Sequence, residues 1–332
     1  MKNVCLALII FAFLGMSVLA QLPNPNEFFE IADNLTPQQI ESFQKLAEKG
    51  DPKAQVIVGL MFLKKAKSHF NDKDEKTFRE MRQTGFDWLR KASDGSYAPA
   101  QYILALASKE IFGCDEYVKE LDKAVTSDYP SALFKKASEF LDPSCGIKSD
   151  NQKALELYKK CYELNRLECA VGVGKVLSRY IGGAENQIEA NDWYLIAAEA
   201  GDADAQNTLG IRISEGHGTK SNNKEAVKWF KKSAEQGHVY GSCNLALHYA
   251  RGWGVARNPL LALKWSIISN SLDSLNCAPN DFVGLLKPRK AIIKSASKLA
   301  IVWLRQHPEL TNNFDQRPWL GDGEKPVTYR QY

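Results

Sequence analysis

The sequence has no strong excess of charge of either sign. It carries 43 Lys and Arg residues against 39 Asp and Glu residues, a net charge of +4 over 332 residues. Proteins that bind nucleic acid neutralise phosphates with dense basic surfaces, so this balance argues against a nucleic-acid partner. With 44% hydrophobic residues the chain can build a core, which excludes an intrinsically disordered class.

The sequence also lacks the short motifs of common catalytic and metal sites. It contains no His-Glu-x-x-His, no Gly-x-Ser-x-Gly and no phosphate-binding glycine loop that ends in Lys-Ser or Lys-Thr. There is no Cys-x-x-Cys, which excludes the usual redox motif and thiolate zinc sites, and the five histidines are scattered. We therefore predict no catalytic residue, no cofactor and no bound metal.

Long apolar runs are absent after residue 21, so the mature chain is not expected to span a membrane. The first residues differ. Lys2 precedes the apolar run 4–16, and residues 17–20 read Ser-Val-Leu-Ala, the small-residue pattern of a signal-peptidase site. This predicts a cleaved signal peptide over residues 1–20 and a periplasmic or secreted protein. An uncleaved anchor is the alternative, but a spanning helix needs about 20 apolar residues.

Six cysteines remain after the predicted signal peptide, an even number that is consistent with disulfides in an oxidising compartment. The sequence does not select among their pairings. One local pair stands out, because Cys161 ends one helical stretch and Cys169 begins the next, so a tight hairpin would bring them into bonding range. The alternative is that both are small buried core residues. The six are Cys114, Cys145, Cys161, Cys169, Cys243 and Cys277.

Internal repetition is the strongest feature of the chain. The block Gly-Asp-Ala-Asp-Ala-Gln at 201–206 returns as Gly-Asp-Pro-Lys-Ala-Gln at 50–55, and more loosely elsewhere. We call the small residue of this block the anchor of its unit. The anchors are separated by 32 to 46 residues, a period typical of helical repeats. They are Ala54, Ala100, Ala132, Ala170, Ala205 and Gly241.

Each unit has the pattern of two helices. In residues 203–237, Ala205, Leu209 and Ile213 form the apolar stripe of a first helix. Gly216 and Gly218 then break the helix, and a second amphipathic stretch runs over 224–236. One such pair cannot cover its own apolar stripes, so neighbouring pairs must stack. The sequence therefore predicts an all-α, superhelical α/α solenoid of about six helix pairs over residues 50–272.

The flanking segments are predicted to close the two ends. Residues 21–49 hold an N-terminal segment and a capping helix that opens with the capping box at Thr36. Residues 273–310 hold a C-terminal capping helix over 290–306, and residues 311–332 look irregular. The capping helix carries a basic ridge that could meet anionic lipid or an acidic protein, although a solvated helix face is the simpler reading. The ridge consists of Lys287, Lys290, Lys294 and Lys298.

This pattern resembles the Sel1-like repeat family, a branch of the tetratricopeptide-type solenoids. The residues that carry the resemblance in the unit at 203–237 share the family's small, aromatic and glycine positions; they are Ala205, Leu209, Gly210, Gly216, Gly218, Ala226, Trp229, Phe230, Ala234 and Gly237. The next unit matches at Gly241, Leu245, Ala246, Tyr249, Gly252, Gly254, Asn258, Ala262 and Trp265. The units at Ala132 and Ala170 depart from the pattern and lack its tryptophan.

The resemblance implies a scaffold that binds a protein or peptide on its concave face. First-helix positions next to the anchors face that side in tetratricopeptide units, with the alternative that the tyrosines pack within the stack. They are Tyr102, Asp204, Asn207, Ile211, Ser214 and Tyr240.

Three more specific functions remain open. Exported relatives occur beside antibacterial lipase effectors, which suggests an immunity protein whose partner is a toxin. A host-interaction or envelope-regulatory adaptor fits equally well. Some cysteine-rich relatives are associated with β-lactam binding, and this chain has Ser-x-x-Lys at 42–45, 221–224 and 295–298 and Ser-Asp-Asn at 149–151. It has no Lys-Thr-Gly, so these residues do not support a β-lactam hydrolase.

Overall fold

A computed structural model describes residues 25–71, 75–109, 111–272 and 286–310, which form helices and contain no strand. The chain divides into two compact units, with the boundary between residues 166 and 167. The predicted signal peptide and the predicted irregular tail lie outside the described residues. The all-α class is confirmed, and so are six consecutive helix pairs within the described residues.

The first unit contains two N-terminal helices followed by three helix pairs. Within each pair the two helices pack against each other, and α4 and α6 also pack on the first helix of the next pair. The helices are α1 (Pro25–Asp33), α2 (Pro37–Glu48), α3 (Pro52–Asn71), α4 (Glu75–Asp94), α5 (Ala98–Ser108), α6 (Cys114–Thr126), α7 (Pro130–Leu141) and α8 (Asn151–Glu163).

The second unit contains three helix pairs and a C-terminal helix that packs on α14. The C-terminal helix has the bounds that the sequence predicts. The helices are α9 (Glu168–Lys175), which continues as a π-helical turn (Val176–Ile181), α10 (Ala184–Glu199), α11 (Ala203–Glu215), α12 (Asn223–Glu235), α13 (Val239–Arg251), α14 (Pro259–Leu272) and α15 (Lys290–Gln306), followed by a 3-10 turn (Pro308–Leu310).

The repeated Gly-Asp block has a structural role at the start of two first helices. Gly201 has a φ of +102°, a left-handed value that favours glycine and ends α10. Asp202 then accepts a hydrogen bond of 2.7 Å from the backbone N–H of Ala205 and caps α11. Gly50 and Asp51 repeat this arrangement before α3. The anchor is therefore the residue whose N–H the cap satisfies.

The glutamine after the anchor explains the rest of the block. Gln206 is buried and donates to the carbonyl oxygen of Ala198 at 2.9 Å, eight residues earlier. Gln55 does the same to Ala47 at 3.2 Å. Each amide adds a side-chain hydrogen bond to a carbonyl in the last turn of the preceding helix, which also accepts from the backbone N–H of the glycine that follows that helix. The block thus joins each first helix to the helix before it.

The ends of the solenoid also follow the predicted chemistry. Thr36 accepts from the backbone of Gln39, whose side chain accepts from the backbone of Thr36 in return, which confirms the capping box. At the other end Trp303 is buried on α15 and meets Trp265 edge-on, with 5.7 Å between ring centroids. On the second helices Trp229 is buried, whereas Trp88 and Trp193 are half-buried.

The five cysteines within the described residues take part in disulfides. Cys114 at the start of α6 is bonded to Cys145 in the loop after α7, with 4.8 Å between their Cα atoms. Cys161 and Cys169 are both buried and each is disulfide-bonded, as is Cys243. The pairing of Cys161 with Cys169 stays a prediction. The sequence left the Cys114–Cys145 pair open because 31 residues separate the two.

Candidate interaction surfaces

The first-helix surface of the second unit holds a polar and aromatic cluster at the amino ends of α11 and α13. His238 caps α13, since its Nδ1 accepts from the backbone N–H of Gly241 at 3.0 Å. Its Nε2 lies 2.7 Å from Oδ1 of Asp204 on α11. The ring of Tyr240 lies 5.9 Å from the His238 ring and is 54% exposed. We call Asp204, His238 and Tyr240 the Tyr240 cluster.

Within the cluster, hydrogen bonds hold the His238 ring in one orientation beside the exposed ring of Tyr240. Because Nδ1 of His238 accepts the cap hydrogen bond, its Nε2 carries the proton and donates to the carboxylate of Asp204. Both ring nitrogens are thereby used, and the ring is held in one orientation beside Tyr240. The sequence predicted Asp204 and Tyr240 as surface residues, and both are exposed. It missed His238, which is recognisable as the residue in the capping position of the repeated block.

Asn207 has a different place from the one expected. It is only 7% exposed, and its Oδ1 accepts a hydrogen bond of 2.8 Å from the Nδ2 of Asn244. The pair joins α11 to α13, so Asn207 serves packing and is not open to a partner. The sequence also missed Asn244, the half-buried second member of this pair.

Three other predicted positions are partly covered. Ser214 donates to Oδ1 of Asn223 at 2.7 Å and so ties the end of α11 to the start of α12. Tyr102 packs on the buried ring of Tyr129 with 5.6 Å between centroids, which is the within-stack alternative of the sequence analysis. Ile211 is half-buried on α11. Within the second unit, the structure therefore brings Asp204 and Tyr240 together and directs Asn207 and Ser214 to intramolecular contacts.

A buried arginine fixes the opposite end of α11. Arg212 donates from Nε to Oδ1 of Asn191 at 2.6 Å and from Nη2 to the Gln187 carbonyl at 2.9 Å, both on α10. Its guanidinium also lies over the ring of Tyr194. Burial lowers the pKa of Arg212. Because these groups occupy the guanidinium, Arg212 orients two helices and is not offered to a ligand.

The first unit holds a buried carboxylate, Glu139, that could resemble a catalytic acid or base. Its Oε1 accepts from the Tyr117 hydroxyl at 2.7 Å and lies 2.9 Å from Nζ of Lys135, while Oε2 accepts from the backbone N–H of Ser144 at 3.2 Å. Burial acts to raise the pKa of Glu139, but hydrogen bonds from Ser144, Lys135 and Tyr117 outweigh it and lower the pKa to about 2. Such a saturated carboxylate is a poor proton acceptor.

The motifs that resemble β-lactam-recognising sequences are used for helix structure. Asp150 of the Ser-Asp-Asn triplet caps α8 by accepting from the backbone N–H of Lys153 at 3.0 Å. Ser42 donates to the Gln38 carbonyl at 3.0 Å, and Ser221 donates to the Ser214 carbonyl at 2.6 Å. These contacts are those of capping and turn residues, and none of them activates a serine as a nucleophile.

Within the described residues, no group of three or more His, Cys, Asp or Glu side chains is arranged to hold a metal ion. No helix in the described ranges has the length and apolar content needed to cross a membrane.

The predicted basic ridge is exposed on and just before α15. Lys287, Lys290, Lys294 and Lys298 all face solvent. The buried stripe of the same helix consists of Ala296, Ala300, Trp303 and Leu304.

Comparison with known families decides the identity of the repeats. The family model described as Sel1 repeat matches residues 82–97, 130–165, 177–202, 203–238 and 239–273. The chain contains Sel1 repeats. The matches at 203–238 and 239–273 coincide with the fifth pair α11–α12 and the sixth pair α13–α14. The pair α5–α6 is a helix pair in the structure but lies outside the matched residues. A search of curated proteins returned no match.

Two solved structures described as SLR or Sel1 repeat proteins share the fold. The protective antigen c5321 of uropathogenic Escherichia coli, described as displaying an SLR fold, is 20% identical with a TM-score of 0.62. The match covers 82% of this Sel1-repeat chain and 65% of c5321. A Sel1 repeat protein from Oxalobacter formigenes is 22% identical with a TM-score of 0.54, over 71% and 88% of the two chains. Immunity protein Pa5087 of Pseudomonas aeruginosa is 21% identical over 67% and 88%, with a TM-score of 0.40.

Proposed function

We propose that this Sel1-repeat protein is an exported scaffold that binds a protein partner over the Tyr240 cluster. The observation that carries the proposal is the exposed ring of Tyr240 beside an imidazole whose two nitrogens are already bonded. Tyrosine supplies a large contact area at a low cost in conformational entropy, which is why it is common in protein interfaces. Because hydrogen bonds already hold the His238 ring beside it in one orientation, less conformational entropy would be lost on binding.

The chemistry around Tyr240 fits a macromolecular partner better than a small molecule. A small-molecule site places a few polar groups inside an apolar cleft. Tyr240 instead is exposed beside His238, which binds the carboxylate of Asp204, and it lies one helical turn before the half-buried Asn244 on α13. This mixture of an aromatic anchor with polar groups around it resembles the centre and rim of a protein interface.

Export is proposed from the sequence and is consistent with the disulfides. Cys114 and Cys145 are bonded, and three further described cysteines are also disulfide-bonded. Structural disulfides persist in the periplasm or outside the cell, whereas the cytosol keeps thiols reduced. The mass of the protein isolated from the cell envelope tests this, since processing after Ala20 leaves a chain that begins at Gln21. A full-length chain with free thiols would contradict export.

The binding experiment compares two equally exposed apolar residues in the same unit. Tyr240 is 54% exposed and Ile188 on α10 is 55% exposed. Gly218 lies against the backbone of Ile188 at the far end of α11 from Asp204. We expect Tyr240→Ala to reduce capture of an envelope protein at least tenfold and Ile188→Ala to leave it unchanged. Equal effects of the two substitutions would contradict a site at Tyr240.

Within this class, neutralisation of an antibacterial toxin is the more specific proposal from the sequence resemblance. An immunity role requires a toxin encoded beside this chain. Co-expression of that neighbour with the wild-type chain should protect cells, and co-expression with the Tyr240→Ala variant should not. Survival without the chain would remove the immunity role while leaving the scaffold proposal open to the capture experiment. The host-interaction or envelope-regulatory adaptor is the other specific form, and the identity of the captured protein separates the two.

A further inference from the structure

The segment from residue 286 to residue 306 carries charge of a single sign. It contains six basic residues and no acidic residue, although the chain as a whole is nearly balanced. Within the described residues none of the six forms an ion pair, and all six are exposed. They are Lys287, Arg289, Lys290, Lys294, Lys298 and Arg305.

The basic residues of α15 share one side of the helix. With 3.6 residues per turn, Lys290, Lys294, Lys298 and Arg305 fall within an arc of about 80°. The buried stripe that includes Trp303 lies on the opposite side and packs on α14. A helix of 17 residues is about 25 Å long, so the four charges form a continuous strip.

Two apolar side chains stand beside this strip and are also open to solvent. Val302 is 53% exposed and Leu299 is 41% exposed. They follow the basic arc around the helix on its solvent side, between the charges and the buried stripe. We call the four basic residues of α15, together with Val302 and Leu299, the α15 face.

We propose that the α15 face binds the surface of an anionic phospholipid membrane, with α15 lying in the plane of the headgroups. Unneutralised basic side chains attract anionic headgroups at about 1 kcal/mol each near the surface. Exposed apolar residues on the same helix add affinity by entering the boundary between headgroups and acyl chains. This inference does not depend on the scaffold function at Tyr240.

A lipid surface fits the α15 face better than an acidic protein does. None of the six basic side chains is held by a hydrogen bond within the described residues, so no preformed geometry selects a particular carboxylate. Three of the four cations on the strip are lysines, which act as point charges, whereas arginine is the residue that recognises carboxylates in a bidentate way. A fluid array of headgroups needs only charge density. Val302 and Leu299 then have a place to insert.

Vesicle co-sedimentation tests this inference on the chain that begins at Gln21, whose described helices start at Pro25. This chain lacks the apolar leader, which would bind lipid by itself. Vesicles of phosphatidylcholine alone are compared with vesicles of phosphatidylcholine and phosphatidylglycerol in equal amounts. We expect binding only to the anionic vesicles. Raising the salt from about 0.1 M to about 1 M, which shortens the Debye length from about 10 Å to about 3 Å, should abolish it.

A matched pair of charge variants locates the binding surface. Lys290→Gln, Lys294→Gln and Lys298→Gln together remove three charges from the α15 face, and we expect the partition coefficient to fall about a hundredfold. The control removes three exposed lysines with similar spacing from α12: Lys224, Lys228 and Lys231. It changes the net charge equally and should weaken binding less than about threefold.

A second variant tests the apolar residues. Val302→Ser with Leu299→Ser keeps every charge and should weaken vesicle binding about tenfold, with an unchanged far-UV circular dichroism spectrum. Equal losses in the α12 control would show that net charge alone attracts the protein and would overturn the proposal. An absence of binding to anionic vesicles would also overturn the proposal. This includes the case in which the same lysines are needed to capture an acidic protein.

Discussion

Gly210 on α11 lies against the ring of Phe230 on α12, and a single methyl group at this glycine should destabilise the protein. A Cβ at this position would lie 2.7 Å from Cε1 and 2.8 Å from Cδ1 of Phe230. Ordinary contacts between carbon atoms are about 3.5 to 4.0 Å. Phe230 is fully buried and its other side meets the ring of His248 at 5.0 Å, so the ring has little room to move.

The magnitude follows from two opposing effects. Overpacking a well-packed core costs about 1 to 3 kcal/mol. Replacing glycine by alanine inside a helix returns about 0.5 to 1 kcal/mol, because glycine loses more backbone entropy on folding. We therefore expect Gly210→Ala to lower the free energy of unfolding by about 1 to 2 kcal/mol. Chemical denaturation followed by far-UV circular dichroism measures this change at a constant m value.

A double-variant cycle with Phe230→Leu separates the clash from other effects. Leucine removes the ring atoms that the new methyl group would meet, so Gly210→Ala in that background should be neutral or stabilising. The coupling energy between the two positions should then be at least about 1 kcal/mol. Additive effects, or a stabilising Gly210→Ala in the wild-type background, would refute the close approach of α11 and α12 at this residue.

Three other variants test the core packing, the buried carboxylate of Glu139 and one disulfide. Trp229→Ala should cost about 3 to 5 kcal/mol of stability because it removes a large buried side chain, and an unchanged melting temperature would contradict its place in the core. Glu139 has a pKa of about 2 against an ordinary 4.5, so its contribution of about 1 to 2 kcal/mol after screening is present above pH 4.5 and is lost as the pH falls toward 2. Glu139→Gln should remove this part of the acid dependence from denaturation curves measured between those pH values, and a curve that matches wild type would argue against the hydrogen-bonded carboxylate. Cys114→Ser with Cys145→Ser should lower the free energy of unfolding by about 2 to 4 kcal/mol, the loss expected from breaking that one disulfide. If a reductant lowers the stability of the wild-type protein by more than this, the other disulfides also contribute.

The helix pairs were predictable from the sequence because each depends on local chemistry that repeats. Asp51 and Asp202 cap their helices at the same offset from the anchor, and Gly50 and Gly201 end the preceding helices. The bounds of α15 were predictable for the same kind of reason, since its apolar stripe has the helical period.

Features that depend on distances between separate segments were not predictable. The Cys114–Cys145 pair requires the loop after α7 to fold back toward α6, where Glu139 holds the backbone of Ser144. The π-helical turn at Val176–Ile181 and the helix α1 also have no repeat partner in the sequence. The sequence pattern of one helix pair does not predict which residues the next helix pair places against it.

The candidate site shows the same division. Tyr240 is exposed because it follows the capping residue of α13, and that position is visible in the repeat. Whether Asn207 faces solvent or another helix depends on the residue that the next helix pair places against it, which is Asn244. Assignment of a residue to the interaction surface therefore needs the packing of two helix pairs, and one helix is not enough.

Site-specific photo-crosslinking tests the central claim, that a protein partner binds at the Tyr240 cluster. A benzophenone amino acid replaces Tyr240 in one variant and Ile188 in a second, and both are irradiated in intact cells. The two positions are equally exposed, at 54% and 55%, and lie on different helices of the second unit, α13 and α10. The proposed function predicts one discrete protein adduct from position 240 and none from position 188. Identical adduct patterns from both positions, or no adduct from position 240, would contradict it.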